Sequence, residues 1–177
     1  MSEKTVYLDN NATTMVDPQV FEAMKPYFCD LYGNPSSMHE FGGQVMHAVD
    51  KAREQVKDFL GARDAKEIIF TASGSEGDNM AIRGVLEANK NKKHIITTKI
   101  EHPAVLNVYK YLEKQGYDVT YLDVDSKGNL DLNQLAESIT DETALVSIMY
   151  ANNETGVILP VEKAAKIVKA KNPKIKF

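Results

Sequence analysis

The sequence predicts an α/β fold, a mainly parallel mixed sheet with helices on both faces that is incomplete at the C-terminus. Three observations predict it. Short apolar runs of strand length alternate with longer segments of helical period. The segments between successive runs are long enough for helical crossovers, which parallel strands require. Polar loops with small residues follow several of the runs, at the sheet edge where open α/β folds place their ligands.

Length and composition agree. The 177 residues suffice for one domain with a sizeable core, and 43% apolar with 26% charged residues excludes a disordered chain. A net charge of −4 gives no support to nucleic acid or an anionic membrane as partner. The single cysteine, Cys29, excludes an intrachain disulfide and a multi-cysteine metal site, and fits a reducing, cytoplasmic setting. The first nine residues are too polar for a signal peptide, and no apolar run approaches membrane-spanning length.

Element by element, residues 5–8 read as a short strand, and Asp17-Pro18 opens a helix running toward Cys29. Gly33-Asn34-Pro35-Ser36-Ser37 marks an ordered loop. Val45, Val49, Ala52, Val56 and Phe59 recur at helical spacing, and Gly61 ends that helix. Residues 67–71 predict a buried strand. Residues 75–90 predict a helix, with Ser75 and Asp78 spaced as a capping box. Residues 94–98, 117–122 and 143–150 read as strands; 103–116, 131–139 and 160–171 read as helices. Residues 174–177 alternate as the start of one more strand, which predicts a truncated protein.

Three loops hold chemistry beyond their turns. The segment from Thr71 to Asn79 joins an apolar run to a helix start; Gly74 and Ser75 there make either a phosphate cup or a plain cap. It is neither a Walker A loop nor a dinucleotide fingerprint. His102 follows another strand, either as a helix-start residue or as a ring to stack on a flat cofactor or shuttle a proton. Asn152, in Ala151-Asn152-Asn153-Glu154-Thr155-Gly156, either shapes a turn or binds a ring hydroxyl or a carboxylate. His39, His47 and His94 show no metal-ligand spacing and read as structural or surface residues. Asp123 to Asn129 superficially resembles a calcium loop, but Lys127 and Gln134 occupy ligand positions, so a turn is the reading.

Taken together, several runs resemble the cysteine desulfurases of the class V aminotransferase superfamily. They are Tyr7-Leu8-Asp9-Asn10-Asn11-Ala12-Thr13-Thr14, Gly33 to Ser37 with His39, and Ile69-Phe70-Thr71 with Ser75-Glu76 and Asp78-Asn79. Glu101-His102-Pro103-Ala104-Val105 and the loop from Ala151 to Gly156 complete the set. The last two resemble the nitrogen-fixation and housekeeping iron–sulfur branch. The resemblance implies the large domain of a transferase that uses pyridoxal 5'-phosphate, with residues 1–16 as an N-terminal arm and 17–177 as a partial cofactor-binding domain. It implies that Gly74 and Ser75 hold the cofactor phosphate, that His102 stacks on the pyridine ring and assists proton transfer, and that Asn152 meets the ring hydroxyl or the substrate carboxylate. Asn11 and Asn34 would help bind substrate, and no metal is implied.

The implied reaction converts L-cysteine to L-alanine and leaves a persulfide on the enzyme for an iron–sulfur scaffold protein, in a cytoplasmic homodimer with no nucleic-acid or membrane partner. Relatives also carry a Ser-x-His-Lys whose lysine binds the cofactor, and a sulfur-accepting cysteine on a mobile loop. Neither occurs within these 177 residues, so the chain alone is predicted inactive. The rival expectations are a non-catalytic binding, dimerisation or split-enzyme partner built on this fold, and another class V lyase or aminotransferase.

Overall fold

A computed structural model describes residues 5–177; residues 1–4, where the expected arm begins, lie outside the described residues. The chain divides into two compact units, 1–70 and 71–177.

In the first unit, residues 5–8 form no strand: Val6 and Leu8 are exposed, and no strand lies beside them among the described residues of that unit. The expected helix toward Cys29 is two helices, α1 (Pro18–Met24) and α2 (Pro26–Cys29). Asp17 caps α1, its carboxylate accepting from the Gln19 N–H at 2.7 Å. Pro26 has no N–H to continue α1 and starts α2 instead. Helix α3 (Glu40–Leu60) starts on His39, whose Nδ1 accepts from Gly42 N–H, and ends at Gly61 with φ 68°, a left-handed cap. Its apolar stripe is only half-covered, and Phe59 is 89% exposed. Residues 67–71 are not a strand either. Asp64 caps a 3-10 turn over Ala65–Glu67, and Ile69 and Phe70 are exposed beyond it. An apolar run supplies a face, but a strand also needs a neighbour to pair with.

The second unit holds every buried apolar side chain of the described residues. Helix α4 (Gly74–Ala88) leads to β1 (His94–Thr98), α5 (Pro103–Lys114), β2 (Asp118–Leu122), α6 (Leu132–Ser138), β3 (Thr143–Val146) and α7 (Val161–Lys171). The strands form a parallel sheet in the order β2-β1-β3. Side chains alternate across it. Ile95 packs with Ile82, Leu86, Val108 and Leu112 of α4 and α5 on one face. Ile96 packs with Leu135, Ala164 and Val168 of α6 and α7 on the other. The predicted class therefore stands, with helices on both faces.

Two details refine it. Beyond β3 the chain turns away four residues earlier than expected, because Met149 N–H goes to a side chain and Ala151 pairs antiparallel with Ile158. The end of the chain begins a fourth parallel position: Val146 N–H donates to Lys176 O at 2.9 Å, and Lys176 N–H to Ala144 O at 3.1 Å. The segment after β2 is a turn, with the Asp125 carboxylate accepting from Lys127 N–H, Asn129 N–H and the Asn129 amide, and Gly128 at φ 83°. Those hydrogen bonds hold the Asp125 carboxyl below its ordinary pKa.

Candidate functional site

Parallel strands end together, so the loops after β1, β2 and β3 share one edge of the sheet. Two of those loops carry predicted site residues, and side chains tie them directly. Asn152 Nδ2 donates to Ile100 O at 2.9 Å. In the opposite direction, Met149 N–H donates to Glu101 Oε1 at 2.7 Å. Each loop thus lends a side chain to the backbone of the other.

His102 is the N-cap of α5. Its Nδ1 accepts from Ala104 N–H at 3.1 Å, and the ring is exposed. An acceptor at Nδ1 assigns the proton of the neutral imidazole to Nε2. The helix-start role is thus observed, and the ring itself stays exposed at the sheet edge.

Asn152 is nearly buried and organises its own loop. Its Oδ1 accepts from Glu154 N–H at 3.0 Å, Thr155 N–H at 2.9 Å and Thr155 Oγ1 at 3.0 Å. Its Nδ2 spends one hydrogen on Ile100 O and points the other toward Met149 sulfur at 3.5 Å, a weak acceptor.

The start of α4 differs from the expected capping box. Ser73, not Ser75, is the N-cap: its Oγ accepts from Glu76 N–H at 3.2 Å, while Glu76 reaches back to Ala72 N–H at 2.6 Å. The backbone decides this: Ser73 has the extended conformation of an N-cap, at φ −161° and ψ 162°. Consequently Gly74 and Ser75 lie in the first helical turn, and the Ser75 hydroxyl is not consumed by capping. Their N–H groups find no acceptor among the described residues, and, its chain neighbours and its own helix backbone aside, nothing lies within 4 Å of where a Gly74 Cβ would stand. Asp78, one turn further along, lines one cavity with Val105 of α5 and with Ser147 and Ile148 beyond β3, which places this end of α4 beside the two tied loops.

Glu101 has no assigned role in the sequence reading, yet it is 6% exposed and accepts from both Thr98 Oγ1 at 2.9 Å and Met149 N–H. Burial raises its pKa; the two hydrogen bonds oppose that shift and the Asp78 charge adds to it. A carboxylate three residues past a predicted strand, immediately before His102, is the one signal of this in the sequence.

Asn11 and Asn34 lie in the other unit, each in a turn of its own. Asn34 Oδ1 accepts from Ser36 N–H at 2.9 Å, an Asx-turn. That loop sits against the start of α3 so closely that a Cβ on Gly42 would stand 2.6 Å from Asn34 O.

Residues 6–176 match the family model described as aminotransferase class-V. A cysteine desulfurase of Nostoc sp. is 64% identical over 164 residues, covering 93% of this chain and 41% of the relative. The cysteine desulfurase NifS of Azotobacter vinelandii is 51% identical over 162 residues, covering 92% of this chain and 40% of the relative. A solved NifS-like protein superimposes with a TM-score of 0.92 at 46% identity, covering 96% of this chain and 46% of that one. A second solved structure, SspA in complex with cysteine, gives 0.89 at 38%, covering 95% of this chain and 48% of that one. The chain thus spans about 40% of the length of the curated relatives it matches.

Proposed function

This chain belongs to the class V aminotransferase family, and from that premise we propose that it carries the pyridoxal-phosphate cradle of a cysteine desulfurase. One observation supports the reading above all: two unaccepted N–H groups and an uncommitted hydroxyl at the start of α4, beside the loops that carry His102 and Asn152. Phosphate fits that donor set, because a helix N-terminus offers both directed N–H groups and a favourable dipole.

In this reading Gly74 and Ser75 hold the phosphate. His102 lays its ring on the cofactor ring and holds a proton at Nε2. Asn152 exchanges its weak sulfur contact for the ring hydroxyl or the substrate carboxylate, while its oxygen keeps the loop in shape. The bound cofactor supplies an electron sink for charge developing at the substrate Cα. Asn11 and Asn34 contribute to the substrate side, with residues 1–16 as an arm and 17–177 as part of the cofactor domain.

The substrate is L-cysteine, in keeping with the cysteine-bound relative, and the sulfur passes as a persulfide to an iron–sulfur scaffold protein. A homodimer in the cytoplasm is the proposed setting, which the single cysteine suits. The 177 residues contain no Ser-x-His-Lys, and on their own they turn over no cysteine.

Titration of this chain with pyridoxal 5'-phosphate, followed by absorbance and calorimetry, tests the cradle. Binding weakened roughly tenfold in Ser75→Ala, and lost with pyridoxal lacking the phosphate, is the expected result for a charge-assisted hydrogen bond. Equal affinity for both compounds, or no effect of the substitution, overturns it.

A further inference from the structure

We infer that Glu101 is a positioning residue for His102, locking the loop that carries the imidazole to the loop that follows the neighbouring strand. What His102 does rests on the proposed function; how it is held does not. Glu101 immediately precedes His102 and is turned inward, away from the water that a glutamate at a helix start would otherwise reach. Burying a carboxylate is costly unless hydrogen bonds compensate it, and here a single oxygen collects two, from Thr98 Oγ1 and Met149 N–H.

The two donors lie on different strands' continuations, Thr98 at the end of β1 and Met149 beyond β3. The carboxylate therefore fixes where the first loop leaves its strand and how far the second loop stands from it. The Asn152 bond to Ile100 O closes the same pair of loops from the other side. Together they form a reciprocal brace around Ile100 and Glu101, and His102 is the next residue out. A fold that needed only to fill this space has no use for a charged group; one that must hold two loops in register does.

The test uses the isotopically labelled chain without cofactor, comparing Glu101→Gln and Glu101→Ala. Glutamine keeps an oxygen that accepts both bonds, so its Met149 amide exchange and His102 ring signals stay within about twofold and near the parent positions respectively. In E101A, Met149 amide exchange accelerates at least about tenfold, and the His102 ring signals shift and broaden. Faster exchange at Met149 with unchanged His102 ring signals overturns the proposal and leaves a local anchor. Equal perturbation in both variants overturns it as well.

If E101A fails to fold, Thr98→Val removes one of the two donors, and a smaller His102 shift in the same direction is required; no shift overturns the proposal. Pyridoxal 5'-phosphate titration of the parent is run separately. Failure there strikes the proposed function and leaves the loop coupling standing or falling on its own data.

Discussion

His94 begins β1 and His102 follows its other end, and their surroundings set the two imidazoles to different tasks. His94 is buried, with Nδ1 2.7 Å from Thr143 Oγ1 and Nε2 2.9 Å from Thr120 Oγ1, so one ring bridges from β2 to β3 across the start of the sheet. Burial lowers its pKa, only partly offset by Asp118. The unfolded chain therefore binds this proton more readily than the folded one. Its contribution to stability is complete above about pH 6.5 and is lost as pH falls through the lower folded value. Glu101 works oppositely: its raised pKa favours the fold as the carboxyl protonates. Urea midpoints taken from pH 8 to pH 5 are expected to fall below pH 6.5, and His94→Gln to flatten that part of the profile; an unchanged slope in the variant contradicts this assignment. The sequence offers His102 as a site candidate and leaves His94 between structural and surface roles; burial decides for the structural one. Neither hydroxyl partner of His94 is adjacent in sequence, and the Glu101 contact with Met149 spans 48 positions.

Among elements, the start of α4 moves the cap from Ser75, where the sequence put it, to Ser73. Ser73→Ala removes the cap and is expected to cost about 1 kcal/mol in a denaturation measurement. Ser75→Ala, at a first-turn position with no intramolecular hydroxyl bond, is expected to change stability by less than about 0.5 kcal/mol. Equal losses in the two variants contradict the frame of the helix. The helices and the three strands of residues 71–177 were legible because period, caps and burial agree there, as in Pro103 at the first turn of α5 and the wholly buried β1. Residues 5–8 and 67–71 carry strand-like runs but pair with no strand among the described residues, and pairing is a property no local window contains.

For the whole molecule, the asymmetry of burial matters most. All the buried apolar side chains among the described residues lie beyond residue 70, while Phe21, Phe28, Tyr32, Phe59 and Leu60 of the first unit are exposed. Limited proteolysis is expected to cut first within residues 5–70 and to leave a resistant fragment beginning near Thr71. A first stable product that retains residues 5–70 and loses strands contradicts this. The family motifs made the overall reading accessible early, because glycine-, asparagine- and histidine-bearing loops keep their spacing whichever strands form. What they did not show is that the chain's core is so unequally shared.

That unequal sharing has a consequence during synthesis. A ribosome delivers the N-terminus first, at roughly 5–20 residues per second, so residues 1–70 are complete on the order of 5–20 s before Phe177 is added. Through that interval Phe21, Phe28 and Phe59 stay exposed, with no fully buried apolar side chain beneath them among the described residues of their unit. Fusions that stop near residue 70 are therefore expected to aggregate more readily than the 177-residue chain, which a sedimentation assay of the two would check.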